Sequence, residues 1–351
     1  MIFKFYLKNI FRRKDTKISY LLNFIVSFIA FPILLFTQNS HILIKLSDYE
    51  DTLKILSQKI MFSDYDFEKY EANEKMLVLF EDALLLPKSY EYSFDSLKYV
   101  SRLKSPDNSF KIYTWLLNKE DGTYEYFGII HKKEDKNNYK IYQLIDNSAN
   151  IESPETKTLY ADNWYGALYY DIIYKKHNDK KFYTLLGWHG KNRTSNQKLI
   201  DILTFTGSKS KPTFGYTVFK NYNKMAKRVI FEYSATTSMV LRYERQYIDN
   251  VVKTNKKRKE SNRKVIRNEL KKEQSYMIVF DRLSPINPRT HMESPTLEGE
   301  FQYYVPETNI HDAFLFQNGK WVFVKDIDAR NRKVKNPEKN KKVQRINLYS
   351  P

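Results

Sequence analysis

The amino-acid sequence predicts a mainly β protein, an antiparallel meander or sandwich preceded by a small helical region. From Ser105 onward, short segments of alternating hydrophobicity recur about every eight to twelve residues. Turn residues such as Asp121-Gly122 separate these segments, whereas apolar residues before Ser105 are spaced three and four apart. A propeller-like arrangement is less favoured, because the segments follow no fixed repeat period.

Residues 1–40 have the pattern of a signal peptide or an N-terminal membrane anchor. Six basic residues and one acidic residue occupy positions 1–19, and Ile18–Thr37 carries no charge. A basic stretch, an apolar stretch and a polar exit form the order of a secretory signal. The apolar stretch is longer than a usual signal core, so an uncleaved inner-membrane anchor over 18–37 is the alternative. The cleaved form is expected in the periplasm or at the outer-membrane periphery, whereas the anchored form is expected at the inner membrane, facing the periplasm.

The helical region is predicted over residues 41–104. Apolar residues at helical spacing mark two helices: Leu53, Leu56 and Ile60 in the first, and Met76, Phe80, Ala83 and Leu84 in the second. Pro87 ends the second helix, and a third short helix is predicted over Ser93–Arg102.

An antiparallel β domain is predicted over residues 105–328. Its strands include Trp164–Lys175, Phe182–Trp188 and the segments "SFKIYTWLLN", "YEYFGIIHKK", "YKIYQLID", "LIDILTF", "FGYTVFK", "RVIFEYS", "SMVLRYERQ", "YMIVFDRLS", "DAFLFQ" and "WVFVKDID". A basic insertion at 253–273 separates two strands that would otherwise be hairpin partners. Its composition favours an exposed helical or disordered excursion. A basic tail follows at 329–351.

The excess positive charge is concentrated in three segments. The net charge is +18, whereas residues 1–19, 253–273 and 329–345 together carry +19, so the rest of the chain is close to neutral. A nucleic-acid groove would need basic residues interleaved with aromatic ones on one face, so nucleic acid is an unlikely partner. The two later segments instead predict contact with an anionic membrane surface.

Motifs for common chemistries are missing from the sequence. It contains no cysteine, which excludes thiol nucleophiles, cysteine-ligated metals and a bacterial lipoprotein anchor. The six histidines show no metal-ligand spacing, and His177 and His189 fall in predicted turns, where solvated histidines are expected. No serine elbow, Walker loop or dinucleotide fingerprint occurs, so neither a catalytic residue, a metal nor a cofactor is predicted.

Four residues are the candidate ligand-binding positions: Trp164, Trp188, Asp326 and Asp328. An aromatic sugar platform needs an exposed, flat ring rimmed by hydrogen-bonding groups, whereas aromatic residues on strands mostly fill the core. The core is therefore favoured for Trp164, and Trp188 is the better candidate for exposure. Asp326 and Asp328 share a strand face, where they could bind calcium, although the basic residues that follow favour surface ion pairs.

Six sequence strings resemble a family of uncharacterised exported proteins from Bacteroidota: "LFEDALLLPKSYEYSFDSL", "SPDNSFKIYTW", "WYGALYYDIIY", "YTLLGWHG", "RVIFEYS" and "DIDARN". The resemblance implies a Gram-negative envelope setting and transfers no activity. The function predicted is that of an exported cell-envelope protein, a non-catalytic binding or structural component with a protein or glycan partner. An envelope hydrolase with a dispersed carboxylate or Ser/His site is the alternative.

Overall fold

A computed structural model of the protein describes residues 42–135, 138–207, 210–257, 264–286 and 304–327. The chain is mainly β with two helices ahead of the strands, so the predicted fold class is confirmed. The predicted export segment 1–40 and the tail 329–351 lie outside the described residues. Within the described ranges, no helix is both long and apolar enough to cross a membrane.

Two helices open the described chain, α1 (residues 42–62) and α2 (Asp66–Leu85). The predicted apolar positions Leu53, Met76 and Phe80 are fully buried. The contacts divide the chain into two compact units, and α2 contributes residues to both. The smaller unit joins Met76–Leu97 to the described part of Met1–Ile55, and the larger joins Leu56–Lys75 to Lys98–Pro351.

The smaller unit continues past α2 as turns and bends. The Glu50 carboxylate accepts hydrogen bonds from the Tyr92 hydroxyl at 2.5 Å and from the backbone N–H of Ser96 at 2.6 Å. The third helix predicted over Ser93–Arg102 is therefore wrong. Its first half is held in turns by Glu50, and Ser101–Lys104 is a strand of the larger unit.

The larger unit contains three sheets. The first is a four-stranded antiparallel meander in the order β1-β2-β3-β4, with strands β1 (Ser101–Lys104), β2 (Phe110–Asn118), β3 (Tyr124–Lys133) and β4 (Tyr139–Ile145). Turns around Ser148–Asn150 and Pro154–Thr156 lead from β4 to the second sheet.

The second sheet has six strands in the order β5-β9-β8-β7-β6, with β11 paired to β8. Its strands are β5 (Leu159–Tyr160), β6 (Leu168–His177), β7 (Lys180–Gly190), β8 (Ser195–Thr206), β9 (Lys211–Phe214) and β11 (Val229–Ser234). The predicted strand "FGYTVFK" is broken at Gly215, whose φ is +88°. Glycine suits this point, because a Cβ would come within 2.7 Å of the carbonyl oxygen of Lys157.

The third sheet has five strands in the order β10-β15-β14-β13-β12. Its strands are β10 (Phe219–Lys220), β12 (Leu241–Lys257), β13 (Lys264–Pro285), β14 (Tyr304–Gln317) and β15 (Lys320–Ile327). Short β10 runs parallel to β15, while the other pairs of this sheet are antiparallel.

The six-stranded sheet is the central layer of a sandwich. Alternate residues of β8 point to opposite faces, so that Leu199 and Leu203 join one hydrophobic cluster and Ile200 and Ile202 join another. The first cluster includes side chains of the four-stranded sheet, and the second includes side chains of the five-stranded sheet. Strands covered on both faces explain the long apolar stretches in the sequence.

The basic insertion is part of a long β-hairpin. The predicted hairpin partners do pair, and the ladder between β12 and β13 runs from Leu241↔Phe280 out to Lys257↔Lys264. The helical or disordered excursion predicted for 253–273 is therefore wrong for 253–257 and 264–273, whereas 258–263 lie outside the described residues. Continued strand pairing overrides the helix propensity of these residues.

Candidate functional site

Trp164 lies completely buried, as the core interpretation predicts. Its indole N–H donates a hydrogen bond to the Tyr169 hydroxyl at 3.0 Å, and its ring packs near Phe214. Trp164 does not begin a long strand as predicted, because it forms an isolated bridge with Asp146 and β6 starts at Leu168. It therefore offers no exposed ring to a ligand.

A bulge in β6 changes the predicted alternation of faces. The register between β6 and β7 shifts between Tyr169 and Asp171, so Tyr170 is the extra residue. The Tyr170 hydroxyl donates a hydrogen bond to the backbone oxygen of Leu241 at 2.8 Å. This bond holds the Tyr170 side chain out of the regular alternation of strand faces.

Trp188 is half-buried within β7, where it lies opposite Lys198 of β8. Its ring meets Tyr124 edge-on, with centroids 5.5 Å apart. It also hydrogen-bonds to Tyr233. Burial raises the pKa of Tyr233 to about 12, although the hydrogen bond with Trp188 acts in the opposite direction. These contacts hold Trp188 among other rings instead of presenting one flat face to solvent.

His189 is buried in β7, so the solvated turn predicted for it is wrong. Its ring stacks between those of Tyr126 and Tyr165, at centroid distances of 4.7 and 5.1 Å. Its Nδ1 lies 2.6 Å from the backbone oxygen of Gly166. Burial lowers the pKa of His189 and favours the neutral imidazole. His177, by contrast, is partly buried at the end of β6.

Asp326 forms the surface ion pair that the sequence favours, although with an unforeseen partner. Its carboxylate lies 2.8 Å from the Arg282 guanidinium, which also contacts Asp312 at 2.5 Å. Asp328, the other proposed member of the pair, lies outside the described residues. No group of three or more metal-ligating side chains occurs among the described residues.

Ser195 is a buried serine that hydrogen-bonds to a carboxylate, one part of the predicted hydrolase alternative. Its hydroxyl donates to the Glu232 carboxylate at 2.7 Å, and Glu232 also accepts from Gln197 at 2.8 Å and from Lys191 at 3.0 Å. No histidine of the described chain hydrogen-bonds to Ser195. The Glu232 carboxylate already accepts hydrogen bonds from three donors, so this residue links β11 to β8 structurally.

A cleft of about 620 Å³ lies between the turn at Pro154–Thr156, the loop after β10, the start of β11, and β15. Its lining combines hydroxyl, amide, carboxylate, aromatic and aliphatic groups: Ser153, Glu155, Thr156, Asn221, Tyr222, Asn223, Ala226, Arg228, Val229, Ile230 and Phe323. Its volume is within the range of small-molecule sites. Backbone hydrogen bonds from Lys227 and Arg228 to the Glu155 oxygen join the loop to the turn.

Arg228 anchors the floor of this cleft. Its guanidinium is fully buried, with Nε donating to Asp201 at 2.9 Å and Nη1 to the backbone oxygen of Pro154 at 2.5 Å. Asp201 is equally buried and lies 3.4 Å from the Tyr169 hydroxyl, so the hydrogen bonds continue to Trp164. The network fixes the turn, the loop and β8 relative to one another.

Tyr222 lines the cleft and is partly exposed. The residue is 43% exposed, and its ring packs against Phe314 and Phe323 at centroid distances of 5.4 and 5.6 Å. Exposed Asn221 and Asn223 flank it in the chain. Desolvation and the negative charge of Glu155 raise the pKa of Tyr222, which keeps its hydroxyl protonated and able to donate.

Sequence reasoning missed both Tyr222 and Arg228. A tyrosine between two asparagines in a predicted loop was the available signal for Tyr222. Arg228 had no such signal, since its partners Asp201 and Pro154 are distant in the sequence. Comparison with protein-family models, curated proteins and solved structures finds no match to this chain.

Proposed function

We propose that this chain is an exported, non-catalytic cell-envelope protein that binds a glycan in the cleft beside Tyr222. The observation that carries the proposal is Tyr222, which lines the cleft, is 43% exposed, and is flanked in the chain by two exposed asparagines that also line the cleft. A sugar platform needs an accessible ring with hydrogen-bonding groups nearby, and Tyr222 is the aromatic residue of the cleft that is more than one-third exposed, whereas Trp164 is fully buried and Trp188 is half-buried.

Rigidity of the platform supports this proposal. Tyr222 is backed by Phe314 and Phe323, and the loop behind it is tied to the buried Arg228. A ring that is already held in place loses little conformational entropy on binding, which favours affinity. Amide groups of Asn221 and Asn223 can both donate and accept, as sugar hydroxyls require.

Replacing Tyr222 by alanine should lower glycan affinity by about tenfold or more, the loss expected for an anchoring aromatic residue. The melting temperature should fall less than for a fully buried ring, because 43% of the residue is exposed and only its contacts with Phe314 and Phe323 are lost. Retention on immobilised envelope polysaccharide, together with a thermal melt, measures both effects. Tyr276→Ala is the matched control, since Tyr276 is 55% exposed and stacks on Tyr243 outside the cleft. Unchanged retention by the Tyr222→Ala protein would refute the glycan platform.

The envelope setting is a separate part of the proposal. The basic and then apolar pattern of residues 1–40, and the resemblance to exported proteins from Bacteroidota, support it. Fractionation of the native host with intact-mass measurement tests it. Recovery of the full-length chain from the cytoplasm would exclude export.

The hairpin of β12 and β13 supports a second contact, with anionic envelope surfaces. Within the described residues, β13 pairs only with β12 from Lys264 to Gln274. At about 3.3 Å per residue this stretch forms a two-stranded ribbon about 30 Å long. Such ribbons are marginally stable alone, so a binding partner would stabilise it. Residues 253–273 contain ten basic and three acidic residues, which favours an anionic partner.

Replacing the ten basic residues of 253–273 by glutamine should weaken binding to vesicles of anionic lipid and leave the melting temperature nearly unchanged. Deleting 329–345 should weaken the same binding further, and raising the salt concentration should mimic both changes. Vesicles of neutral lipid provide the control in a sedimentation assay. Equal binding by the wild type and by a protein lacking both basic segments would contradict this second contact.

A further inference from the structure

The cleft lies in an unusually basic part of the β domain. From Ile202 to Phe231 the sequence contains six basic residues and no acidic residue, with Asp201 and Glu232 as the bounding acids. This local excess of basic residues is not apparent from the net charge of the chain outside its three basic segments, which is close to zero. The loop that carries Tyr222 lies inside this basic stretch.

Three lysines of this stretch are close to the lining residues in the sequence. Lys220 and Lys224 are exposed immediately outside Asn221 and Asn223, and the Lys227 ammonium donates to the Thr158 hydroxyl at 2.9 Å. Among the described residues, no carboxylate forms an ion pair with any of the three. Their positive charge is therefore available to a ligand.

The other charged groups of the cleft do not cancel the positive charge of these three lysines. Asp201 compensates the charge of Arg228 inside the protein. Glu155 is the single acidic residue of the lining, and its charge acts on the Tyr222 hydroxyl. When charged residues near the lining in the chain are counted on both sides, Glu152 and Glu155 oppose four lysines: Lys157, Lys220, Lys224 and Lys227. A net positive charge remains, which directs a negative group towards Lys220 and Lys224 and away from Glu155.

We propose that the cleft selects an anionic saccharide, in which a carboxylate or phosphate group lies beside the sugar ring that stacks on Tyr222. This inference rests on the proposed glycan function and specifies the class of glycan. Lys220 and Lys224 contact the negative group, and the asparagines contact the hydroxyls. Charge-assisted hydrogen bonds of this kind are about twice as strong as neutral ones.

The test compares a neutral glucan oligosaccharide with its uronic-acid and phosphorylated counterparts by isothermal titration calorimetry. The wild type should bind at least one anionic form about tenfold or more tightly than the neutral form. The Lys220→Gln/Lys224→Gln protein should lose that preference while keeping its affinity for the neutral form. Raising the salt concentration should also reduce the preference, because exposed charges are screened. Lys59→Gln/Lys98→Gln, which changes two exposed lysines outside the lining, is the control.

The possible outcomes separate this inference from the proposed function. Equal binding of neutral and anionic forms, abolished by Tyr222→Ala, would refute the anionic preference and retain the glycan function. A preference that survives Lys220→Gln/Lys224→Gln would also refute the inference. Inorganic phosphate that binds as tightly as the phosphorylated saccharide would show an anion site without sugar recognition, and would refute it as well. Binding of no member of the panel would overturn both proposals.

Discussion

Replacing Trp164 by alanine is expected to lower the free energy of unfolding by about 3–5 kcal/mol. The side chain is fully buried, so the change removes a large apolar surface and leaves a cavity beside Phe214. It also removes the N–H that donates to the Tyr169 hydroxyl at 3.0 Å. Chemical denaturation of the wild type and the variant measures the difference. A loss of this size is a large part of the roughly 5–15 kcal/mol that stabilises a typical domain.

Two further variants test whether the loss of stability in Trp164→Ala comes from the burial of this residue. Trp164→Phe keeps most of the volume and should cost less than Trp164→Ala, which separates the cavity from the lost hydrogen bond. Trp188→Ala should also cost less, because Trp188 is only half-buried. A Trp164→Ala protein that unfolds at the wild-type denaturant concentration would contradict the packing described for this core.

Replacing Arg228 by methionine is expected to cost about 3–5 kcal/mol of stability, because it leaves the carboxylate of Asp201 buried without its counter-ion. Both side chains have zero exposure, and their N–O distance is 2.9 Å. The same change removes the side-chain hydrogen bond to Pro154, so the turn that lines the cleft keeps only the backbone hydrogen bonds from Lys227 and Arg228 to Glu155 as its described ties to this segment. Denaturant unfolding and glycan titration should therefore both respond.

The double variant Arg228→Met/Asp201→Leu distinguishes the ion pair from packing. Removing both charges leaves no buried ion uncompensated, so the double variant should be more stable than Arg228→Met alone. It should still bind glycan weakly, because the tie to Pro154 remains absent. A double variant less stable than either single variant would show that the pair does not account for the loss.

Local sequence pattern determined the fold class, both helices and most strands. The spacing of Leu53 and Ile60 in α1, and of Met76 and Phe80 in α2, follows the helical period. Leu199 and Leu203 of β8 lie on one face, since neighbouring side chains of a strand alternate between faces. These apolar residues are buried in the structure, as their spacing predicts. The antiparallel sandwich was predictable for the same reason, because turns and strands recur along the chain.

Only the tertiary structure decided where local patterns are overridden. Hydrogen bonds to Glu50 and the strand at Ser101–Lys104 replace the expected third helix. The basic insertion extends a ladder begun at Leu241, although its composition favours a helix. In the first place the partner is a carboxylate distant in sequence, and in the second it is the other strand of the hairpin. A local propensity of about 1 kcal/mol or less per residue reports neither partner.

The candidate site depended on tertiary structure throughout. Tyr222, Glu155 and Phe323 come from three segments far apart in the chain, and the cleft exists only where these segments meet. The sequence by itself determined that aromatic residues are abundant and that most of them lie on strands. Which aromatic residue is exposed depended on packing, because Trp164 is fully buried whereas Tyr222 is 43% exposed. Exposure is a property of the assembled neighbours, and alternation along one strand does not encode it.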